Sequence, residues 1–343
     1  MAPRKKGDRV TIKTVAEDAG VSVAAVSKVL RDAYGVSDEL RSKVQASMLK
    51  LSYRPHAAAR GMRGQTYTLG VLFPDLRNPF FGDIMAGVNS ALERTQYQPM
   101  LGISESQTVI EIALAEAMID RQMDGLILVG PRLTTRDLVG IADRIPTVLI
   151  GHYPPPGLNV DTVNNDDELG AHIVVKHLYE MGYRRIAYLN QILVDEENAL
   201  VTTKREIGFL AAVKEIGIAR QAQVLRSLQT PRETQAAVRR ALQSRNPPEA
   251  IFCWTDFIAL EVLSMIHELG LKVPQDVAVV GYDNTSYCDL AQNSLTSIDQ
   301  SGQVLGLQAA RLLIERIKGR ETPESLVITP RLVVRQSSGP KRA

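Results

Sequence analysis

The chain has 343 residues, 45% of them apolar, and a formal net charge of +2. That length fits two domains, and the apolar share suffices for a sizeable core, which excludes a disordered chain. Two cysteines, Cys253 and Cys288, exclude a disulfide framework or a paired-cysteine zinc site. No run reaches the ~20 apolar residues of a membrane span, and MAPRKKGDRV has no apolar stretch behind its basic residues, so it does not read as a signal peptide.

Charge is unevenly spread. Residues 1–65 hold 13 Lys/Arg and 6 Asp/Glu, a net of +7, which leaves −5 for the remainder. A basic head on an acidic body points either to polyanion binding or to a solvated basic tail. Within the head, TIKTVAEDAGVSVAAVSKVLRD predicts helix, tight turn, helix. Thr11 caps the first helix, whose apolar face is Ile12, Val15, Ala16 and Ala19. Gly20 supplies the turn and Ser22 the next cap. Val26, Val29 and Leu30 face inward on the second helix, leaving Val23, Ala24, Ser27, Lys28 and Arg31 on the opposite face. A third helix starts from Ser37 and buries Leu40, Val44, Met48 and Leu51. Two short helices joined by a glycine turn in a basic segment fit a helix-turn-helix; the competing reading is a three-helix unit that binds another protein.

TIKTVAEDAGVSVAAVSKVL, then VS, then LSYRPHAAARGMR resembles the head of the lactose-repressor (LacI/GalR) family of bacterial regulators. The resemblance implies that the second helix enters the major groove. Lys28 would then donate to guanine, and Val23 or Ala24 would touch a thymine methyl. Ser22, Ser27, Arg31 and Tyr53 would meet phosphates, and Thr11 completes the head's contact set. HAAARGM, residues 56 to 62, corresponds to the family's hinge helix. There His56, Ala59 and Arg60 would lie along the minor groove, and Met62 would take the place of the leucine that wedges between base pairs. Seven residues are too few for a stable isolated helix, so folding only on operator is expected. Met for Leu, Gly61 inside the helix and His56 for Asn depart from the family's pattern.

From Thr68 onward the pattern becomes strand–helix alternation. TLGVLF, DGLILVG and PTVLIG, then RRIAYLN, a strand around 222–228, EAIFCW and DVAVVGYDN read as buried parallel strands. Helices are predicted near 81–95, 107–122, 134–143, 203–216, 231–244 and 257–269. The expected fold class is therefore α/β: a helix-turn-helix head on a two-lobed, periplasmic-binding-protein-like body with doubly wound parallel sheets. The expected domains are a head at 1–55, a hinge at 56–65 and a body at 66–343. The body divides into an N-lobe of about 66–163 and 299–325 and a C-lobe of about 164–298 and 326–338.

Ligands bind such sheets at the carboxyl ends of the strands. That rule and the resemblance together nominate the cleft residues. In PDLRNPFF, Asn78 is placed to hydrogen-bond a ligand, and of Phe80 and Phe81 one is assigned to the core and one to the cleft. REIGF puts Arg205 at the family's effector-binding arginine, whose fork suits adjacent hydroxyls or a carboxylate. GYDN puts Asp283, and CWTD puts Thr255 and Asp256, just past strand ends; Gln300 lies on a crossing segment. After PTVLI the family commonly carries Asp, an acceptor for sugar hydroxyls, whereas this chain has Gly151 and His152. Either His152 replaces that acceptor or the ligand lacks the matching donor. Trp254 either lines the cleft or packs below the sheet. NNDDE, residues 164 to 168, reads as a helix start favoured by the dipole rather than a calcium loop, with Asn165 or Asp166 near the cleft.

No dinucleotide or P-loop motif, no H-E-x-x-H and no G-x-S-x-G elbow occurs. No cofactor and no enzyme activity are expected. The expected partners are double-stranded, near-palindromic operator DNA, a sugar-like small-molecule effector and a second copy of the chain, in the cytoplasm. The alternatives are a solute-binding protein and a sugar-processing enzyme on the same scaffold.

Overall fold

A computed structural model describes residues 10–30, 33–53, 65–191, 200–227 and 231–341. The chain separates into two compact units, with the break between Thr66 and Tyr67.

The first unit contains α1 (Ile12–Ala19), α2 (Val23–Leu30) and α3 (Asp38–Lys50). Two starts carry side-chain caps: Ser22 Oγ accepts from Ala25 N–H at 3.1 Å, and Ser37 Oγ accepts from Leu40 N–H at 3.2 Å; caps of this kind stabilise by about 1 kcal/mol each. At the start of α1, the Thr11 backbone N–H donates to Thr14 Oγ1 at 3.3 Å. Gly20 ends α1 at a φ of 67°. Val15, Val26, Val29 and Val44 close a small core. Asp18 clips α1 to α3, accepting from Ser47 Oγ at 2.8 Å and from Lys50 Nζ at 2.7 Å.

The second unit runs β1 (Thr68–Phe73), α4 (Phe80–Leu92), β2 (Gln98–Ile103), α5 (Thr108–Asp120), β3 (Gly125–Val129), α6 (Thr135–Ala142), β4 (Thr147–Ile150) and β5 (Asp161–Asn165). Next come α7 (Asp167–Glu180), β6 (Ile186–Gln191), α8 (Val201–Glu215), β7 (Gln223–Ser227), α9 (Pro231–Leu242), β8 (Ala250–Cys253), α10 (Asp256–Glu268), β9 (Ala278–Asp283) and β10 (Thr296–Asp299). The chain ends with α11 (Gly302–Ile317), β11 (Ser325–Ile328) and β12 (Arg331–Val333). The strands form two six-stranded sheets, ordered β11-β5-β4-β3-β1-β2 and β12-β10-β9-β8-β6-β7. Among the strand pairs of the described residues, only β10–β12 is antiparallel. β1 shows why such strands are apolar throughout: Leu69, Val71 and Phe73 pack with α4 and α11, while Leu72 packs on the other face.

The chain passes between lobes three times: after β5, after β10 and after β11. The third passage corrects the expected boundary. β11 pairs in parallel with β5 of the first lobe, so the crossing falls at residues 329–330 rather than at 325/326. The first passage likewise follows Asn165 instead of residue 163.

α4 and α11 approach to backbone contact. A Cβ on Gly306 would overlap the carbonyl of Ile84, and one on Gly87 would overlap the carbonyl of Gln303. Only glycine leaves room for the two helices to meet there.

Candidate functional site

The two lobes enclose a cavity of about 200 Å³ at the carboxyl ends of their strands. Its floor is a buried charge network. Arg205, on the first turns of α8, donates from Nε to Asp167 Oδ1 at 2.7 Å, from Nη1 to the Trp254 carbonyl at 2.6 Å, and from Nη2 to Gln300 Oε1 at 3.3 Å. Its guanidinium stacks 3.6 Å from the centre of the Tyr282 ring. Burial opposes the Arg205 charge, but Asp167 and its other neighbours hold its pKa above the ordinary value. Asp167 is placed at the start of α7, where the helix dipole favours a carboxylate, and also accepts from Tyr153 Oη at 2.6 Å.

Asp283 ends β9 with a φ of 117°, a strained conformation for a non-glycine residue that turns its side chain into the cleft. Asn78, from the opposite lobe, donates to Asp283 Oδ2 at 2.7 Å, and Gln300 Nε2 donates to Oδ1. Burial first, and then the neighbouring Asp256, push the Asp283 carboxyl up to about 8 against the pull of Arg205. A raised folded-state pKa stabilises below the unfolded value near 3.8 and is lost as pH rises toward 8. Wild type should therefore lose stability relative to Asp283→Asn as pH rises from 5 to 8. Parallel melting curves at both ends of that range would contradict a protonated Asp283.

The profile "Bacterial regulatory proteins, lacI family" matches residues 11–56, and "Periplasmic binding protein-like domain" matches residues 175–338. Catabolite control protein A of Priestia megaterium is 31% identical over 333 residues, covering 96% of this chain and 99% of its own. The chain belongs to the lacI family of bacterial regulatory proteins. The HTH-type transcriptional repressor CytR of Escherichia coli (strain K12) is 29% identical over 341 residues, covering 98% and 99% of the two chains. Among solved structures, the transcriptional regulator CelR–cellobiose complex is 28% identical with a TM-score of 0.69, covering 96% of this chain and 100% of that one.

In this LacI-family repressor, eight of the nine expected cleft residues line one cavity: Asn78, Phe80, Phe81, Arg205, Trp254, Thr255, Asp283 and Gln300. Phe80 is buried in the core and reaches the cavity edge, while Phe81 is half-buried. Trp254 both packs against the C-lobe core and lines the cavity. Thr255 caps α10. Asp256 is turned from the cleft into a structural knot, accepting from Ser297 Oγ at 2.5 Å, Thr285 N–H at 2.7 Å and Cys288 Sγ at 3.1 Å. Asn165 lines the cavity and Asp166 caps α7.

His152 is the correction. The chain turns at Gly151, whose φ of 68° suits glycine, and Gly151 lines the cavity while His152 does not. The imidazole Nδ1 lies 3.2 Å from the Pro131 carbonyl, and the backbone N–H donates to Asn164 Oδ1 at 3.1 Å. His152 therefore does not replace the family's aspartate.

On the head, Val23, Ala24 and Lys28 are exposed along α2, beside Ser22 and Thr11. Ser27 and Tyr53 depart from the expected outward set, each being only 9% exposed. Tyr53 is drawn into the head core, and the short Ser27 side chain stays within the helix packing where Lys28 reaches out. Arg31, His56, Ala59, Arg60 and Met62 lie outside the described residues.

Sequence reading missed two groups. Asp167 was assigned only to a helix start, and nothing local ties it to Arg205, 38 residues on. Glu261, on α10, was not nominated, yet it lines the cavity. No helix among the described residues is long and apolar enough to cross a membrane.

Proposed function

We propose that the chain represses transcription from a near-palindromic operator as a cytoplasmic homodimer, and that a small sugar-like effector in the cleft sets its operator affinity. Residues 1–55 act as the DNA-binding head, 56–65 as the hinge and 66–343 as the effector-binding and dimerising body. Val23, Ala24 and Lys28 read bases, Thr11, Ser22 and Arg31 hold phosphates, and His56, Ala59, Arg60 and Met62 work in the minor groove. Arg205, Asp283, Gln300 and Asn78 bind the effector's polar groups, with Phe81 and Trp254 as apolar walls.

One observation carries this reading. Asn78 of one lobe is bonded to Asp283 of the other inside a cavity that also holds Arg205 and Gln300. A hydroxylated ligand would compete for those bonds, and changing them moves one lobe against the other. The cellobiose in the CelR complex supports the sugar class. Titration with sugars, sugar acids, sugar phosphates and nucleosides, followed by Trp254 fluorescence and melting temperature, should give a saturable change with one compound. Flat responses in both signals across the panel would contradict the reading.

Lys28→Ala should relax base preference at one position of each half-site and cost about 1–3 kcal/mol of operator binding. Selection from random-sequence DNA checks this, and an unchanged preferred sequence would remove Lys28 from the readout.

A further inference from the structure

Glu261 sits on the second turn of α10, and the residue as a whole is half-buried. Its Oε2 is nevertheless shut off from solvent and has no hydrogen-bond partner among the described residues. Buried carboxylate oxygens are normally satisfied, so an unpaired one needs an explanation. Burial raises the Glu261 carboxyl above its ordinary range, and the opposing influence is Arg77, from the loop after β1. That guanidinium is already engaged: Arg77 Nη2 donates to Asp75 Oδ2 at 3.1 Å, and Arg77 N–H donates to Asp75 Oδ1 at 2.8 Å.

The opposite wall supplies the second observation. Position 151, where the resembled family commonly places an acidic acceptor, is glycine here, and His152 is turned onto the Pro131 carbonyl. The cavity thus has no carboxylate at position 151, and Asp75, which lines it from the same lobe, is held by Arg77, whereas Glu261 on the other lobe carries an unpaired oxygen.

We infer that Glu261 is a specificity-determining effector residue, whose carboxylate accepts from hydroxyl groups of a polyhydroxylated ligand in place of the acceptor missing at position 151. This rests on the cleft being the effector site. The acceptor has changed lobes, so a ligand bound through both Glu261 and Asn78 spans the cleft and closes it.

Two variants test this. A binding group kept unsatisfied in the empty protein costs stability, so Glu261→Met should raise the melting temperature of the effector-free protein by about 2–4 °C. An unchanged or lower value would mean that Glu261 is already paired, and would overturn the inference. Glu261→Gln keeps the shape and removes the charge. D-ribose, D-glucose and cellobiose serve as probes, and the one that shifts the wild-type melting temperature should bind Glu261→Gln roughly ten- to a hundredfold more weakly. Equal affinity for both proteins would overturn the role of Glu261 and leave the cleft assignment standing. No wild-type shift with any of the three would overturn the hydroxyl class named here, and with it the sugar reading of the cleft.

Discussion

Arg205→Ala should cost the body about 3–5 kcal/mol of stability and abolish the response to effector. The side chain is 3% exposed and its partner Asp167 is 1% exposed. Removing the guanidinium leaves the buried Asp167 carboxylate with Tyr153 Oη as its one remaining side-chain donor and takes the Arg205 donors from the Trp254 carbonyl and Gln300 Oε1. The loss follows from the abandoned charge more than from the pair itself, which yields a control. Arg205→Met combined with Asp167→Leu removes both charges, and such apolar replacements are often neutral in stability. The double variant should recover most of the urea midpoint while remaining blind to effector. An effector response that survives in the double variant would show that Arg205 holds the fold and not the ligand.

The second large effect lies at the α4–α11 contact. Gly306→Ala should destabilise by about 3 kcal/mol, because the added methyl meets the Ile84 carbonyl and main-chain atoms cannot rotate away. The same substitution at Gly140, an exposed position in α6 with nothing near its notional Cβ, should stabilise by up to about 1 kcal/mol through helix propensity. Opposite signs from one chemical change separate packing from propensity. The effect reaches the site, because α4 begins with Phe80 and Phe81 and α11 follows directly on Gln300 and Ser301. Denaturant midpoints for both variants check the signs, and a neutral Gly306→Ala would mean that the helices can separate at little cost.

Much of the body was legible because parallel strands covered on both faces must be apolar throughout. TLGVLF became β1 without a residue's error, and β3, β4, β8 and β9 fell inside their predicted runs. β2 escaped because it is an edge strand: Met100 and Leu101 are about half exposed, so QPMLGI has neither a continuous run nor a clean alternation. β5 escaped for the opposite reason. DTVNN is polar yet buried at every position, since Asp161 pairs with Arg320, Asn164 with the His152 main chain, and Asn165 with the Gln300 and Ile328 carbonyls. Partners from distant sequence satisfy those groups, and no local pattern announces them. The same limit explains the cleft. Strand ends gave Asp283 and Thr255 a place, whereas the Asp167–Arg205 pair and the inward turn of Glu261 depend on how α7, α8 and α10 pack. His152 was misplaced because the turn at Gly151 decides its direction.

The central claim is that occupancy of the cleft sets affinity for DNA. The direct measurement is the dissociation constant for a labelled operator, obtained by sequence selection and read by fluorescence anisotropy, with and without the compound that saturates the Trp254 signal. The account predicts a change of about 5- to 150-fold, typical of coupled sites, which disappears in the Arg205/Asp167 double variant. The same operator affinity with the cleft empty and saturated would contradict it.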